Sequence, residues 1–395
     1  MSERPSLRLP QASASLRAAP AWRRDPYKPL FGLGMLLAWA GVLHWIFFAL
    51  GIIPEYRSIF HALAQIEGFL TCFALGFLFT FVPRRTGTAP PAVWQMLVAL
   101  GCPVAVVILS WFEKWAVSQI FWLLLLGTLM QFAAKRMLSS QRRDSVPASF
   151  VWVGFALAFA TFGSVLAGVG AALGEEWFWL HDIGRALVLQ GMFTGFVLGT
   201  GGLLVPAITR GVDPTSAPQR LPAGVHLALG LLYAASFWAD ALVSLRAGFG
   251  VRFLVVLVVL LAIRAHLRPT IDGFHRRLVF LAVWMLPLGN LIVALAPEYR
   301  RAGLHVVFIG CFALLVFAVS THVVLSHGAR PEQLHGRPRQ LVVAAVLLGF
   351  ALCARVLVDV DPARTAIWIA TAGTSFLCAT IAWAALVFRK APVSA

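Results

Sequence analysis

The sequence predicts an all-α polytopic membrane protein with about twelve transmembrane helices. Of its 395 residues, 60% are hydrophobic and 12% are charged, and the mean hydropathy is +0.83. These values exclude a water-soluble globular domain. Apolar segments long enough to cross the ~30 Å hydrocarbon core of a bilayer recur along the chain, and most lysines and arginines fall in the short connections between them.

Twelve apolar segments of spanning length follow a polar N-terminal region. They are predicted at residues 31–53, 59–83, 91–112, 115–134, 148–173, 179–207, 223–245, 249–266, 274–296, 303–326, 339–358 and 364–388. Residues 1–30 are polar, basic and rich in proline, which is typical of a disordered cytoplasmic tail. We therefore expect this tail to precede a single membrane domain over residues 31–390.

The distribution of basic residues predicts the orientation. Of the 32 Lys and Arg residues, 23 fall in connections on the side of the N-terminus, 7 in connections on the opposite side, and 2 within helices. Basic connections stay in the cytoplasm, so both termini are expected there. The net charge of +16 follows from the same pattern. This basic charge therefore predicts that the chain contacts a lipid bilayer and that it binds no nucleic acid.

The second span carries polar groups inside the membrane. Residues 60–87 read FHALAQIEGFLTCFALGFLFTFVPRRTG, an apolar helix with His61, Gln65 and Glu67 near its outer end. Each of these side chains is costly to remove from water. Each is therefore expected to face the protein interior and to be paired or to bind a ligand.

Three histidines recur at matching positions. His61 opens helix 2, His181 opens helix 6 and His305 opens helix 10, at spacings of 120 and 124 residues. This recurrence predicts three pseudo-equivalent four-helix units with one outer histidine each. Imidazole is the commonest protein ligand of haem iron and copper, and helix bundles build such sites in their interiors. A haem or copper site is therefore predicted, with ordinary hydrogen-bonded histidines as the alternative.

Further polar residues lie on helices 6 and 10. Asp182 and Arg185 are spaced to form a local ion pair, with a haem carboxylate or another anion as the alternative partner of Arg185. His322 and His327 at the inner end of helix 10 differ by five residues and do not share a helix face. We expect His327 to act alone or as a cap, and we assign His275 to a connection.

Two of these stretches resemble the NnrS family. Residues 60–87 follow the family pattern WHAHEMxxGFxxAxxxGFLLTAVPxWTG without a gap. The stretch AGLHVVFIGCFALLVFAVSTHVVLSHGAR is similar to the late family motif AGLHALTVGAIGTMxLAVMTRAxLGHTGR. The residues that match the early pattern are His61, Gly68, Phe69, Gly76, Phe77, Thr80, Val82, Pro83, Thr86 and Gly87.

The resemblance implies a bacterial inner-membrane protein that binds haem and copper and takes part in the response to nitric oxide. It carries over His61, His305 and His327 as metal ligands, whereas His181 rests on the repeat alone. The second histidine and the glutamate of the early pattern are Leu63 and Ala64 here, and the late arginine is His322. This chain therefore lacks part of the polar set of the family.

Two other classes of function remain open. A secondary transporter or metal exporter would use Glu67, Asp182, Arg185 and Asp240 as coupling groups near the membrane interior. A membrane scaffold would need no site at all. The sequence names no catalytic residue and does not decide whether the protein is an enzyme.

Overall fold

The computed structural model describes residues 14–138, 147–212, 220–327 and 331–388. In these ranges the chain is helical and contains no strand. Twelve helices are long and apolar enough to cross a membrane. The prediction of an all-α polytopic membrane protein is confirmed.

The twelve helices lie close to the predicted spans. In chain order they are α1 Tyr27–Ala49, α2 Ser58–Thr86, α3 Val93–Trp111, α4 Trp115–Arg136, α5 Ala148–Leu173, α6 Glu175–Arg210, α7 Ala223–Leu242, α8 Leu245–Ala262, α9 Phe274–Leu295, α10 Pro297–Ser326, α11 Arg339–Val360 and α12 Pro362–Val387. The largest differences are at N-terminal ends, because polar and aromatic residues that flank an apolar run still take helical geometry.

Part of the predicted N-terminal tail is ordered. Residues 14–30, assigned to a disordered tail by composition, instead form two short helices, Ala14–Ala18 and Ala21–Arg24, and the start of α1. The Asp25 carboxylate lies 2.7 Å from the Arg84 guanidinium at the end of α2. This ion pair holds the segment against the helix ends, while residues 1–13 lie outside the described residues.

Three π-helical segments interrupt the histidine-bearing helices. They are Ala64–Leu70 in α2, Leu187–Met192 in α6 and Val306–Ala313 in α10. Among the described residues these are the only π-helices, and each begins within two turns after His61, His181 or His305. Since π-helices are rare and frequently mark functional sites, their recurrence supports the three four-helix units predicted from the histidine spacing.

The chain forms two compact units within the region expected to be one domain. The first contains Met1–Gly41, Arg57–Val146 and Leu157–Met192, and the second contains Val42–Tyr56, Pro147–Ala156 and Phe193–Ala395.

Each unit has its own apolar core. In the first, Leu37, Phe60 and Val107 form one buried cluster, and the rings of Phe31 and Phe73 stack at 4.6 Å. In the second, the Trp383 indole donates a hydrogen bond of 3.0 Å to the Thr321 hydroxyl. The buried Trp383 N–H thus finds a partner inside the second unit, as its apolar surrounding requires.

The hairpin of α7 and α8 encloses an ion pair. The Arg252 side chain is fully buried, and its guanidinium lies 2.6 Å from the Asp240 carboxylate. Its Nε also donates to the Ser236 hydroxyl at 2.9 Å. A Cβ on Gly248 would collide with the Asp240 carboxylate, so the pair requires a glycine there.

Candidate functional site

The three predicted histidines share one hydrogen-bonding arrangement. Nδ1 of His61 lies 2.8 Å from the Gly41 carbonyl oxygen, Nδ1 of His181 lies 3.0 Å from that of Ala167, and Nδ1 of His305 lies 2.7 Å from that of Arg301. A carbonyl oxygen only accepts, so each Nδ1 carries the proton. In a neutral ring Nε2 then holds the lone pair, which is the tautomer that binds a metal through Nε2.

His181 is the most enclosed of the three. Its side chain is 2% exposed, and its ring lies 4.6 Å from the Phe178 ring and 5.5 Å from the Trp115 ring, between centroids. Its Nε2 is buried and has no hydrogen-bond partner among the described residues. A buried lone pair without a donor calls for an explanation, and a metal ion would supply one.

Close packing between α5 and α6 positions His181. A Cβ on Gly170 would collide with the His181 backbone nitrogen, and one on Gly163 would lie 2.6 Å from the Gly184 carbonyl oxygen. These glycines let the two backbones approach closely. As a result, Nδ1 of His181 reaches the Ala167 carbonyl on the neighbouring helix.

His61 and Gln65 both bind the backbone of α1. His61 faces Gly41, and the Gln65 amide donates to the Ala38 carbonyl oxygen at 2.9 Å. Gly41 offers no side chain that would block this approach. One face of α2 is thus attached to α1 through its polar side chains, as the cost of burying them predicts.

Glu67 lies inside the first unit and is 1% exposed. Both of its carboxylate oxygens face Nε2 of Gln119 on α4, at 3.2 and 3.1 Å. The sequence predicts a partner for Glu67 but does not identify Gln119. The two residues are 52 positions apart, and a single buried amide leaves no periodic signal.

His305 belongs to the second unit. Its Nδ1 bond runs to Arg301 on the same helix, whereas His61 and His181 bond to the preceding helix. Its side chain is half-buried. The third repeat therefore keeps the tautomer, with its Nδ1 bond made within the helix.

Asp182 and Arg185 form the local ion pair, at 3.0 Å between Oδ1 and Nη2. Their side chains are 55% and 26% exposed. An exposed pair at this spacing contributes about 0–1 kcal/mol. Arg185 is therefore held only weakly by Asp182.

The partner of His322 is His275, which the sequence wrongly assigns to a connection. Nε2 of His275 lies 3.1 Å from Nδ1 of His322, and His275 is the second residue of α9, buried, rather than part of a connection. The apolar run of α9 begins directly at Phe274, so the helix includes its polar first turn. His327 ends the helix, and its side chain lies outside the described residues.

No group of three or more His, Cys, Asp and Glu side chains in the described ranges is arranged to hold a metal ion. A cofactor that takes its ligands one from each helix does not need such a cluster. Axial ligation of haem by histidine is of this kind.

The fold and these histidines define a polytopic helical membrane protein with a buried imidazole whose Nε2 has no hydrogen-bond partner in the described part of the chain. The family model described as NnrS protein matches residues 21–391. The chain belongs to this family, which confirms the resemblance of its early and late motifs. A search among curated proteins finds no match.

Proposed function

We propose that this protein binds haem in the bacterial inner membrane, with both termini in the cytoplasm, and takes part in the response to nitric oxide. The observation that carries the proposal is Nε2 of His181, buried without a partner among the described residues while Nδ1 is held by Ala167. Family membership supports the same function, since the resemblance to NnrS implies haem, copper and nitric oxide.

The chain supplies ligands, orientation and exclusion of water. His181, His61 and His305 would each coordinate a metal through Nε2. The aromatic rings of Trp115 and Phe178 exclude water from the His181 imidazole. Arg185 lies one turn from His181 on α6, and its guanidinium is the cation that would attract a haem carboxylate. When bound, haem iron supplies the site at which nitric oxide coordinates.

Copper is the second metal that the family implies. The imidazoles of His61, His305 and His327 are the groups carried over for it, and neutral imidazole suits copper as well as iron. Nitric oxide is small and apolar, so it would reach either metal through the lipid. No aqueous channel is required.

The transporter alternative loses one of its coupling groups. Asp240 pairs with the fully buried Arg252 at 2.6 Å. Breaking a buried ion pair is strongly destabilising, so Asp240 does not readily exchange Arg252 for a cargo ion. The described contacts therefore favour the cofactor reading.

The proposal predicts a coloured protein. Full-length protein purified in detergent from haem-replete cells is expected to show a Soret band that shifts when nitric oxide is added. The change His181→Ala is expected to abolish the band, because it removes the most enclosed coordinating nitrogen. Pyridine haemochrome and metal analysis on the same sample identify the haem and measure copper.

His226→Ala is the matched control. His226 is also 2% exposed, but its Nδ1 accepts from the Trp152 indole at 3.2 Å, so it carries the opposite tautomer. This variant is expected to keep the Soret band. Colourless wild-type protein would contradict the proposal, and a band retained in His181→Ala would remove His181 from the ligand set.

A further inference from the structure

The second unusual group in the first unit is the carboxyl of Glu67. It lies in the π-helical segment of α2, within a membrane span, and is 1% exposed. Among the described residues its partner is the Gln119 amide, and no cation pairs with it. An ionised carboxylate in such a place is strongly disfavoured unless a positive charge compensates it, and the group takes up a proton instead.

In the described residues, no charged side chain of the neighbouring helices forms an ion pair with this carboxyl. Helix α3 contains no charged residue. In α1 the cation is Lys28, which pairs with Asp25 at 3.1 Å. On the α4 side, Lys114 directly precedes the helix, about 8 Å of rise from Gln119, and Lys135 lies about 24 Å away in the other direction. The nearest titratable residues on α2 are Cys72 and His61, about 8 and 9 Å away by rise. The His181 ring of α6 lies 5.5 Å from the ring of Trp115, one turn from Gln119.

Gln119 carries a second sign of the protonated state. With its Nε2 facing both carboxylate oxygens, its Oε1 is buried and has no partner in the described part of the chain. An amide turned by 180° places Oε1 beside the carboxyl instead. A protonated Glu67 would then donate its O–H to Oε1, and Nε2 would donate to the other carboxyl oxygen, so that both buried groups are satisfied.

We propose that Glu67 and Gln119 form a proton-binding site inside the membrane, in which Glu67 is held as a neutral acid by the turned Gln119 amide. Loss of the proton is coupled to rotation of the Gln119 amide. The ionised carboxylate needs Nε2 to donate to both of its oxygens, whereas the protonated carboxyl needs Oε1 to accept from its O–H. The pair is therefore a two-state element that stores one proton about two turns from His61. It rests on these two side chains alone and stands whether or not a haem is bound.

Infrared spectroscopy of the full-length protein in lipid nanodiscs tests this proposal directly. At neutral pH the wild type is expected to show the carbonyl stretch of a protonated carboxyl group. The nearly isosteric Glu67→Gln change is expected to remove that band. Gln119→Leu is expected to shift it to higher frequency, because the carboxyl loses its hydrogen bonds.

Glu113→Gln serves as the control, since the Glu113 side chain is 63% exposed and lies outside the buried pair. This change is expected to leave the band unaltered. Carbon-13 glutamate in the wild-type chain should shift the same band to lower frequency, which tests the proposal without any substitution. If the band is absent from the wild type, or persists in Glu67→Gln, Glu67 is not the protonated group and the proposal is overturned.

Discussion

Replacing Asp240 by alanine is expected to lower the free energy of unfolding by about 3–5 kcal/mol. The change leaves the fully buried Arg252 guanidinium without its carboxylate, in a hairpin where its central carbon lies 3.9 Å from the centre of the Phe237 ring and 4.4 Å from that of Phe249. A buried charge that loses its counter-ion retains the full cost of leaving water. Chemical denaturation of detergent-solubilised protein, followed by circular dichroism, measures the difference.

The exposed pair of Asp182 and Arg185 provides a matched control. Asp182→Ala removes an Asp–Arg contact of similar length from side chains that water already reaches, so its effect is expected to stay within about 1 kcal/mol. The double change Asp240→Leu with Arg252→Met should recover most of the stability, because well-packed apolar groups replace a buried ion pair at little cost. Equal effects of Asp240→Ala and Asp182→Ala would show that burial of Arg252 does not matter.

The second large effect is expected from Gly184→Ala in α6. The added Cβ would collide with the Ala167 backbone nitrogen and the Gly163 carbonyl oxygen of α5. Because these backbone atoms cannot rotate away as a side chain can, the two helices must separate. Such overpacking typically lowers the free energy of unfolding by about 1–3 kcal/mol. Separation also breaks the bond from His181 to Ala167, and the proposed haem should be lost with it.

Gly154→Ala is the control for this change. Gly154 lies on α5, and an added Cβ there meets no atom within 4 Å. Alanine is the better helix former by roughly 0.5–1 kcal/mol, so this variant should be at least as stable as the wild type. Thermal unfolding and the Soret absorbance, measured on both variants, separate a specific α5–α6 contact from a general intolerance of alanine.

Span positions and the histidine repeat could be predicted from the sequence because each depends on features local in the chain. Hydropathy over about twenty residues locates a membrane helix, and the recurring histidines led to the segments that prove to be π-helical. What escaped prediction depends on contacts between distant residues. Gln119 can be recognised as the partner of Glu67 only in the folded structure, where the two side chains meet.

Arg252 escaped prediction for a related reason. The sequence predicts a span over residues 249–266 and an outer connection over 246–252, so Arg252 falls where the two overlap, at the membrane surface, where a basic side chain needs no partner. The helix begins at Leu245 and places Arg252 two turns inside it. Its partner Asp240 is on the other arm of the hairpin, so only the turn geometry shows that the two charges are buried together.

The π-helical segment of α2 has a consequence for how this protein tolerates insertions and deletions. Removing one residue from Ala64–Leu70 would restore ordinary α-helical bonding and rotate His61 by about 100° relative to the remainder of α2. The number of residues in this segment, more than their identity, therefore determines the direction around the helix axis in which the imidazole points. Loss of a single codon there would redirect the ring while leaving almost the whole length of the span in place.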